Sequence, residues 1–218
     1  MMEASNNRSN RSSGGAPVSR SRPGRSLLKA GTALGAILVA LGLGCNGGGG
    51  GGNSVTPCAS ISFTSSITNL SAGDVYLLSR SSSCDQVDVS VMVRNLSGIF
   101  TVGFEISYPS AILAFPATQG FTAGPLLYQG NPPIAPLFIV NNASPGGLVV
   151  SGTLFRPDGS VTASGDAMFI TLHFVKVASG TDTVDFNLGS GGNQIIDDNG
   201  NAVSASFGPG HGGVVQVP

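Results

Sequence analysis

The sequence predicts an all-β protein, with a single antiparallel β-sandwich behind an export segment. Three observations support this prediction. Short runs after residue 60 alternate apolar and polar residues, the period of a half-buried strand. Turn-forming Gly, Pro, Asn and Asp residues separate these runs. Only 10% of the 218 residues are charged, while 33 are Gly and 13 are Pro, a composition that excludes a coiled coil.

The first 44 residues differ from the rest in charge. They hold six basic residues against the single acid Glu3, a net charge of +5. An apolar run follows at residues 30–44 and is shorter than the roughly 20 residues that a membrane-spanning helix needs. A basic region before a short apolar run predicts a signal peptide over residues 1–44, with its basic N-terminal part disordered. An uncleaved membrane anchor is the alternative.

Residues 41–45, Leu-Gly-Leu-Gly-Cys, resemble the lipobox of bacterial lipoproteins, in which the Cys is lipidated and becomes the mature N-terminus. Gly44 fits the small residue before that Cys, whereas Gly42 stands where the family usually has Leu. The resemblance implies lipidation at Cys45 and attachment to the bacterial outer membrane or cell surface. Residues 45–57 contain six consecutive glycines, which predict a flexible tether.

The remaining domain, residues 58–218, is acidic. From Cys45 onward four basic residues face ten acids, a net charge of −6, which gives no electrostatic footprint for nucleic acid. We expect a monomer. Cys58 and Cys84 form an even pair in an exported domain, so a disulfide is predicted, with two reduced thiols as the alternative. No Cys-x-x-Cys spacing supports a redox or zinc site.

The strands and turns follow from the alternation. A strand opens the domain at 61–63, and a later strand should end or bulge near Val175, because Lys176 falls on its apolar side. No helix is predicted after residue 60. Further strands are predicted at 87–93, 102–108, 148–154, 170–174, 184–188 and 215–217, and turns at 95–98, 144–147, 157–159 and 198–200.

This order of segments resembles a cohesin domain, the β-sandwich module that binds dockerin modules in cellulosomes. The resemblance spans about residues 60–217. Its pieces include Ser71-Ala72-Gly73-Asp74, Gly98-Ile99 before Phe104-Glu105-Ile106-Ser107-Tyr108-Pro109, and Gly212-Gly213-Val214-Val215-Gln216-Val217. It implies one antiparallel sandwich of jelly-roll topology and a non-catalytic binding or scaffolding role, with a dockerin-like protein as partner. Cellulose-binding sandwiches share this architecture, so a carbohydrate-binding module that assists polysaccharide breakdown is an alternative. A structural envelope lipoprotein without a dedicated ligand is another.

The resemblance also places a candidate partner face on one strand. Aligned through Gly98-Ile99 and Tyr108, Thr101 and Gly103 fall where dockerin-binding cohesins typically have an Asn and an Asp. Neither residue can make the charge-assisted contact of a carboxylate. The candidate face therefore comprises Thr101, Gly103 and Glu105, and a different partner could use the same face.

Two further segments are candidate binding sites. Asp197, Asn199 and Asn201 have the oxygen spacing that opens some calcium loops, although Gly200 is fourth rather than sixth, and a plain turn is the alternative. No other cofactor is expected. Phe121, Tyr128 and Phe138 flank the Pro-rich residues 130–136, a candidate recognition loop or a connector. The chain lacks a nucleophile elbow and a phosphate loop, and we expect it not to be an enzyme.

Overall fold

The computed structural model describes residues 57–132, 134–155, 159–189 and 191–218. The predicted signal peptide, Cys45, the glycine run and most of the 157–159 turn lie outside the described residues. No helix in this part of the chain has the length and apolar character needed to cross a membrane. The elements are β1 Ser62–Ser65, β2 Val75–Ser82, β3 Gln86–Ile99, β4 Thr101–Ser107, β5 Leu113–Ala114, β6 Phe121–Ala123, a 3₁₀ turn Leu126–Tyr128, β7 Leu137–Ser144, β8 Gly147–Thr153, β9 Val161–Lys176, β10 Gly180–Phe186, β11 Gln194–Ile196, β12 Ala202–Val203 and β13 Gly213–Val217.

The strands form two antiparallel sheets, which confirms the predicted sandwich. The eight-stranded sheet runs β1-β13-β10-β4, and then β8 and β7 continue beyond β4. The short strand β11 pairs with β4 beside β10, and β12 pairs with β11. The five-stranded sheet runs β2-β3-β9-β5, with β6 also paired to β9. The first and last strands are neighbours, since Ser62 lies opposite Gln216.

The core lies between the two sheets and uses the apolar side of each alternating run. Val87, Val89, Val91 and Val93 of β3 are buried, as are residues 102, 104 and 106 of β4 and residues 169–172 and 174 of β9. Phe104 links the layers, because its ring packs edge-to-face on Phe169 of the other sheet at a centroid distance of 5.8 Å. Burial of these side chains supplies the main driving force for the fold.

The turn predicted at 95–98 is wrong, because these residues lie inside the long strand β3. The backbone accommodates them with register shifts on either side of Leu96. Asn95 and Gly98 have positive φ values of 43° and 76°, conformations that Asn and Gly adopt readily. In this segment they allow the strand to bulge rather than to reverse direction. Leu96 is buried and anchors the irregular segment to the core.

Other local predictions are confirmed. Pro145 and Gly146 form the tight connection between β7 and β8, and Gly146 has φ 86°. Residues 198–200 turn between β11 and β12. Strand β9 ends at Lys176, as predicted from the position of this charged residue on the apolar side of the strand. The alternation did not reveal β2 or β7, whose sequences contain consecutive apolar residues.

The predicted disulfide is present between Cys58 and Cys84, whose Cα atoms are 5.7 Å apart. Cys84 lies in the short connection between β2 and β3, while Cys58 precedes β1. The amide of Ile61 also donates to the carbonyl of Ser83 at 2.8 Å. The start of the domain is therefore held covalently and by hydrogen bonding against the β2–β3 hairpin.

Candidate functional site

The three residues of the predicted partner face share one side of β4. Thr101, Gly103 and Glu105 alternate with the buried residues Val102 and Phe104. Since successive side chains of a strand point to opposite sides of its sheet, all three lie on the solvent side of the eight-stranded sheet. Strand β4 is central there, with β8 along one edge and β10 and β11 along the other.

Hydrogen bonds orient the polar members of this group. The hydroxyls of Thr101 and Thr153 are 2.7 Å apart across the β4–β8 pair. The amide nitrogen Nδ2 of Asn187 donates to Glu105 Oε2 at 3.1 Å. The Glu105 backbone N–H donates to the side-chain oxygen of Asn193 at 2.8 Å. These contacts position the Glu105 carboxylate next to the end of β10 while leaving it on the surface.

Apolar side chains extend the same side of the sheet towards β7. Val149 lies opposite Glu105, and Ile139 lies opposite Ser151, which in turn lies opposite Gly103. Leu137, Ile139 and Val149 are 43%, 53% and 39% exposed. We call this surface the outer face and define it by Thr101, Gly103 and Glu105 of β4, Val149 and Ser151 of β8, and Leu137 and Ile139 of β7.

The sequence did not reveal the apolar part of the outer face. Residues 137–140 read Leu-Phe-Ile-Val, so nothing in the local pattern distinguishes the outward pair from the inward pair. Pairing with the alternating strand β8 makes that distinction, because directly opposed residues share a side of the sheet. Phe138 and Val140 accordingly turn inward and pack against the core.

Charge is distributed unequally between the two sheets. The eight strands of the first sheet contain no Lys or Arg, and Glu105 and Asp185 lie on its solvent side. Arg80, Arg94 and Lys176 all belong to strands of the five-stranded sheet. The outer face therefore combines exposed apolar side chains with negative charge, and it suits a partner that presents apolar and basic groups.

A shallow pocket of about 220 Å³ indents this surface beside Glu105. Val149, Asn187 and the Pro145-Gly146 turn also line it. Its size accommodates one side chain rather than a drug-sized ligand, for which pockets of about 300–1,000 Å³ are usual. The pocket gives the outer face a specific place for a single group of the partner next to a carboxylate.

The three candidate recognition aromatics are not brought together. Tyr128 and Phe138 stack with ring centroids 6.4 Å apart and an interplanar angle of 15°. Phe138 also contacts the core ring of Phe169. Phe121 lies on β6 in the other sheet, and among the described residues its ring contacts neither of the other two. Of the set, only Tyr128 is an exposed ring, so the structure offers one stacking surface at this site rather than a platform.

The calcium candidates form a closed turn. Asp197 Oδ1 accepts the backbone N–H groups of Asn199 and Asn201 at 2.9 and 2.8 Å. The hydrogen bond from the Asn201 backbone is the main reason that the pKa of the Asp197 carboxyl is lowered, against the opposing effect of desolvation. Asn201 Nδ2 donates to the other oxygen at 3.2 Å. These contacts confirm the turn, which is the alternative to a calcium site, and calcium binding is a question for measurement in solution.

Comparison with solved structures defines the class of fold. The chain is similar to a type II cohesin domain from the cellulosome of Acetivibrio cellulolyticus, with a TM-score of 0.52 and 15% identity over 66% of this chain and 95% of that one. The described domain thus has the cohesin fold, as the sequence resemblance implies.

Two further matches are weaker in superposition. The CaCohA2 domain of Clostridium acetobutylicum gives a TM-score of 0.49 and 17% identity, covering 66% of this chain and 89% of that one. The sixth cohesin of scaffoldin B from Acetivibrio cellulolyticus, solved with a Cel5 dockerin, gives a TM-score of 0.45 and 24% identity. That match covers 61% of this chain and 90% of the other. No family profile matches the sequence, and no curated protein matches it.

Proposed function

We propose that this protein is a non-catalytic interaction module which binds a dockerin-like protein partner through its outer face. The fold is shared with a type II cohesin domain, and sequence resemblance places the partner face on β4. The observation that carries the proposal is the combination of exposed Leu137, Ile139 and Val149 with the Glu105 carboxylate on one flat sheet surface. Exposed apolar groups gathered on one surface mark interaction sites on soluble domains.

Thr101 and Gly103 stand where dockerin-binding cohesins typically have an Asn and an Asp, and this difference defines the expected partner chemistry. The Thr101 hydroxyl already hydrogen-bonds with that of Thr153, and Gly103 has no side chain. Glu105 is therefore the residue of this group that can make a charged contact. A Lys or Arg of the partner would enter the pocket beside Glu105. Apolar partner residues would cover Val149 and Ile139 and remove their exposed area from water.

The test is to measure binding of purified dockerin modules to the full chain and to a Gly103→Arg variant by isothermal titration calorimetry. A Cβ at Gly103 would meet only the Gly192 carbonyl oxygen at 3.6 Å, an ordinary contact, so the domain accommodates a side chain there. An Arg would cover the centre of the outer face and introduce a positive charge. We expect at least a tenfold weaker Kd.

Thr64→Arg is the matched control. Thr64 is an exposed residue of β1, at the far edge of the same sheet. The control should bind as the unmodified chain does. Equal binding by Gly103→Arg, or no binding of any dockerin by the unmodified chain, would overturn the proposal. Retention on insoluble polysaccharide that is lost in Tyr128→Ala would replace it with the carbohydrate-binding alternative.

We further propose that the module is displayed on the bacterial outer membrane through a lipid on Cys45. The support is the signal-like segment and the lipobox resemblance at residues 41–45. The glycine tether that follows would hold the sandwich away from the bilayer, so the outer face stays accessible to a large partner.

A further inference from the structure

Strand β7 is an edge of the eight-stranded sheet. It pairs with β8 along Leu137–Ser144, and no other described strand pairs with it. In an antiparallel pair, alternate residues direct their N–H and C=O groups away from the partner strand. Strand β7 therefore presents a row of backbone donors and acceptors at the side of the sandwich, next to the exposed Leu137 and Ile139.

This edge lacks the features that usually block strand addition. Residues 137–144 include no charged residue and no Pro, and the first six extend without a register shift. Strand β2, at the edge of the other sheet, is different. It carries Arg80 and a bulge between Ser79 and Ser81, and Ser206 and His211 accept hydrogen bonds from its outward N–H groups. Among the described residues, strand β7 is thus an uncharged edge strand whose outward backbone groups pair with no other strand.

In place of the monomer expected from the sequence, we propose that β7 pairs antiparallel with β7 of a second copy, which joins two chains into a dimer through a continuous sheet. A two-fold axis sets the strand against itself, so any charge on it would face a like charge near the axis. The absence of charge on β7 removes that repulsion. An axis perpendicular to the sheet also keeps the outer faces on one side, so that the two exposed patches around Leu137 and Ile139 adjoin and form one continuous apolar surface on the solvent side of the joined sheet.

The dimer would display two outer faces side by side. Gly103 and Glu105 lie on β4, separated from the β7 edge by β8, so the centre of the outer face stays free. Two faces on one assembly allow bivalent capture of a partner that carries repeated modules. The pairing itself does not depend on the proposed function, because it needs no partner.

Sedimentation equilibrium of the full chain in mild detergent, without any partner, tests the dimer. Asn141 is exposed on β7 and lies opposite Val149, so Asn141→Lys places a charge on the solvent side near the two-fold axis. We expect the unmodified chain to give twice the mass of one chain and Asn141→Lys to give one. Thr183→Lys puts the same charge on an exposed position of β10 in the same sheet, and this variant should remain dimeric.

A charge-swap experiment completes the test. Mixing Asn141→Lys with Asn141→Glu should restore the doubled mass, because the opposite charges then meet across the axis. A single-chain mass for the unmodified protein would overturn the proposal, as would association that persists in Asn141→Lys. Gly103→Arg should leave the dimer intact. Failure of dockerin binding and failure of dimerisation are therefore observed separately.

Discussion

The Nδ1 atom of His173 lies 2.7 Å from Oδ1 of Asp88, joining β9 to β3 on the solvent side of the five-stranded sheet. His173 Nε2 is 2.8 Å from the hydroxyl of Thr122 on β6. On the other flank, the Ser81 hydroxyl of β2 donates to Asp88 Oδ2. One row of hydrogen bonds therefore crosses four neighbouring strands and ties them together near the end of the sheet that carries the β2–β3 turn.

Acid should weaken this row. Partial burial opposes ionisation of Asp88, yet hydrogen bonds from Ser81, His173 and Gln86 together hold its pKa below the ordinary value. Because the pKa is lower in the folded chain, the carboxylate stabilises the fold at neutral pH. That contribution is lost as the pH falls below about 4 and through the folded pKa. We expect the urea midpoint to decrease over this range.

Asp88→Asn should flatten that part of the pH profile and lower the midpoint at pH 7. Asp85→Asn is the control, since its exposed carboxylate makes no hydrogen bond with another described residue. Identical slopes for Asp88→Asn and the unmodified chain below pH 4 would show that another group controls acid unfolding.

Removing the disulfide should destabilise the domain without changing its fold. Replacing Cys58 and Cys84 by Ala opens a covalent loop with a sequence separation of 26. The chain-entropy estimate for such a loop is about 3 kcal/mol. We expect a lower unfolding midpoint in urea and an unchanged β-sheet circular dichroism spectrum at low temperature. Free thiols in the exported, alkylated protein would show that the bond does not form in cells.

The lipid anchor is tested by changing its attachment atom. Cys45→Ser removes the thiol to which the lipid would be joined. We expect this variant to lose labelling by a palmitate analogue and to be unprocessed or soluble. Cys58→Ser serves as the comparison, because it removes a cysteine that lies outside the lipobox. Labelling that survives Cys45→Ser would contradict lipoprotein processing at this residue.

A methyl group at Gly213 should disturb the contact between β1 and β13. A Cβ there would stand 2.5 Å from the carbonyl oxygen of Thr64, which is closer than real contacts allow. Gly213→Ala should therefore lower stability by about 1–3 kcal/mol and expose the β1 amides to hydrogen exchange. Gly189→Ala is the control, since its Cβ would meet only Asn187 Oδ1 at 3.6 Å. Unchanged exchange in Gly213→Ala would contradict the packing described.

Calcium should leave the 197–201 turn unaffected. Oδ1 of Asp197 accepts the backbone N–H groups of Asn199 and Asn201, and Oδ2 accepts Nδ2 of Asn201, so the turn is held without a metal ion. In the described part of the chain, no group of three or more His, Cys, Asp or Glu residues is placed to hold a metal ion. We expect the thermal midpoint to be the same in calcium and in chelator. A higher midpoint in calcium that disappears in Asp197→Ala would establish the site.

Prediction from sequence succeeded where one side of a strand faces solvent and the other side is buried in the core. The valines at 87–93 and the 102–108 run alternate clearly because polar residues are selected at every second position. Alternation fails for β7, whose inner side chains are only half covered and whose outer ones are apolar. It also fails at residues 95–98, where Asn and Gly serve a bulge rather than a chain reversal.

Local periodicity and composition were enough to predict the all-β class, the cysteine pair and the positions of Thr101, Gly103 and Glu105 on one side of a strand. The identity of the strands beside β4, and of the strand at the edge of the sheet, depends on the assembled fold. Strand pairing joins residues far apart in the chain, such as Glu105 with Val149 and Ser151 with Ile139. No local pattern records those partners, so the apolar extent of the outer face and the open edge of β7 emerge only when the sheet is assembled.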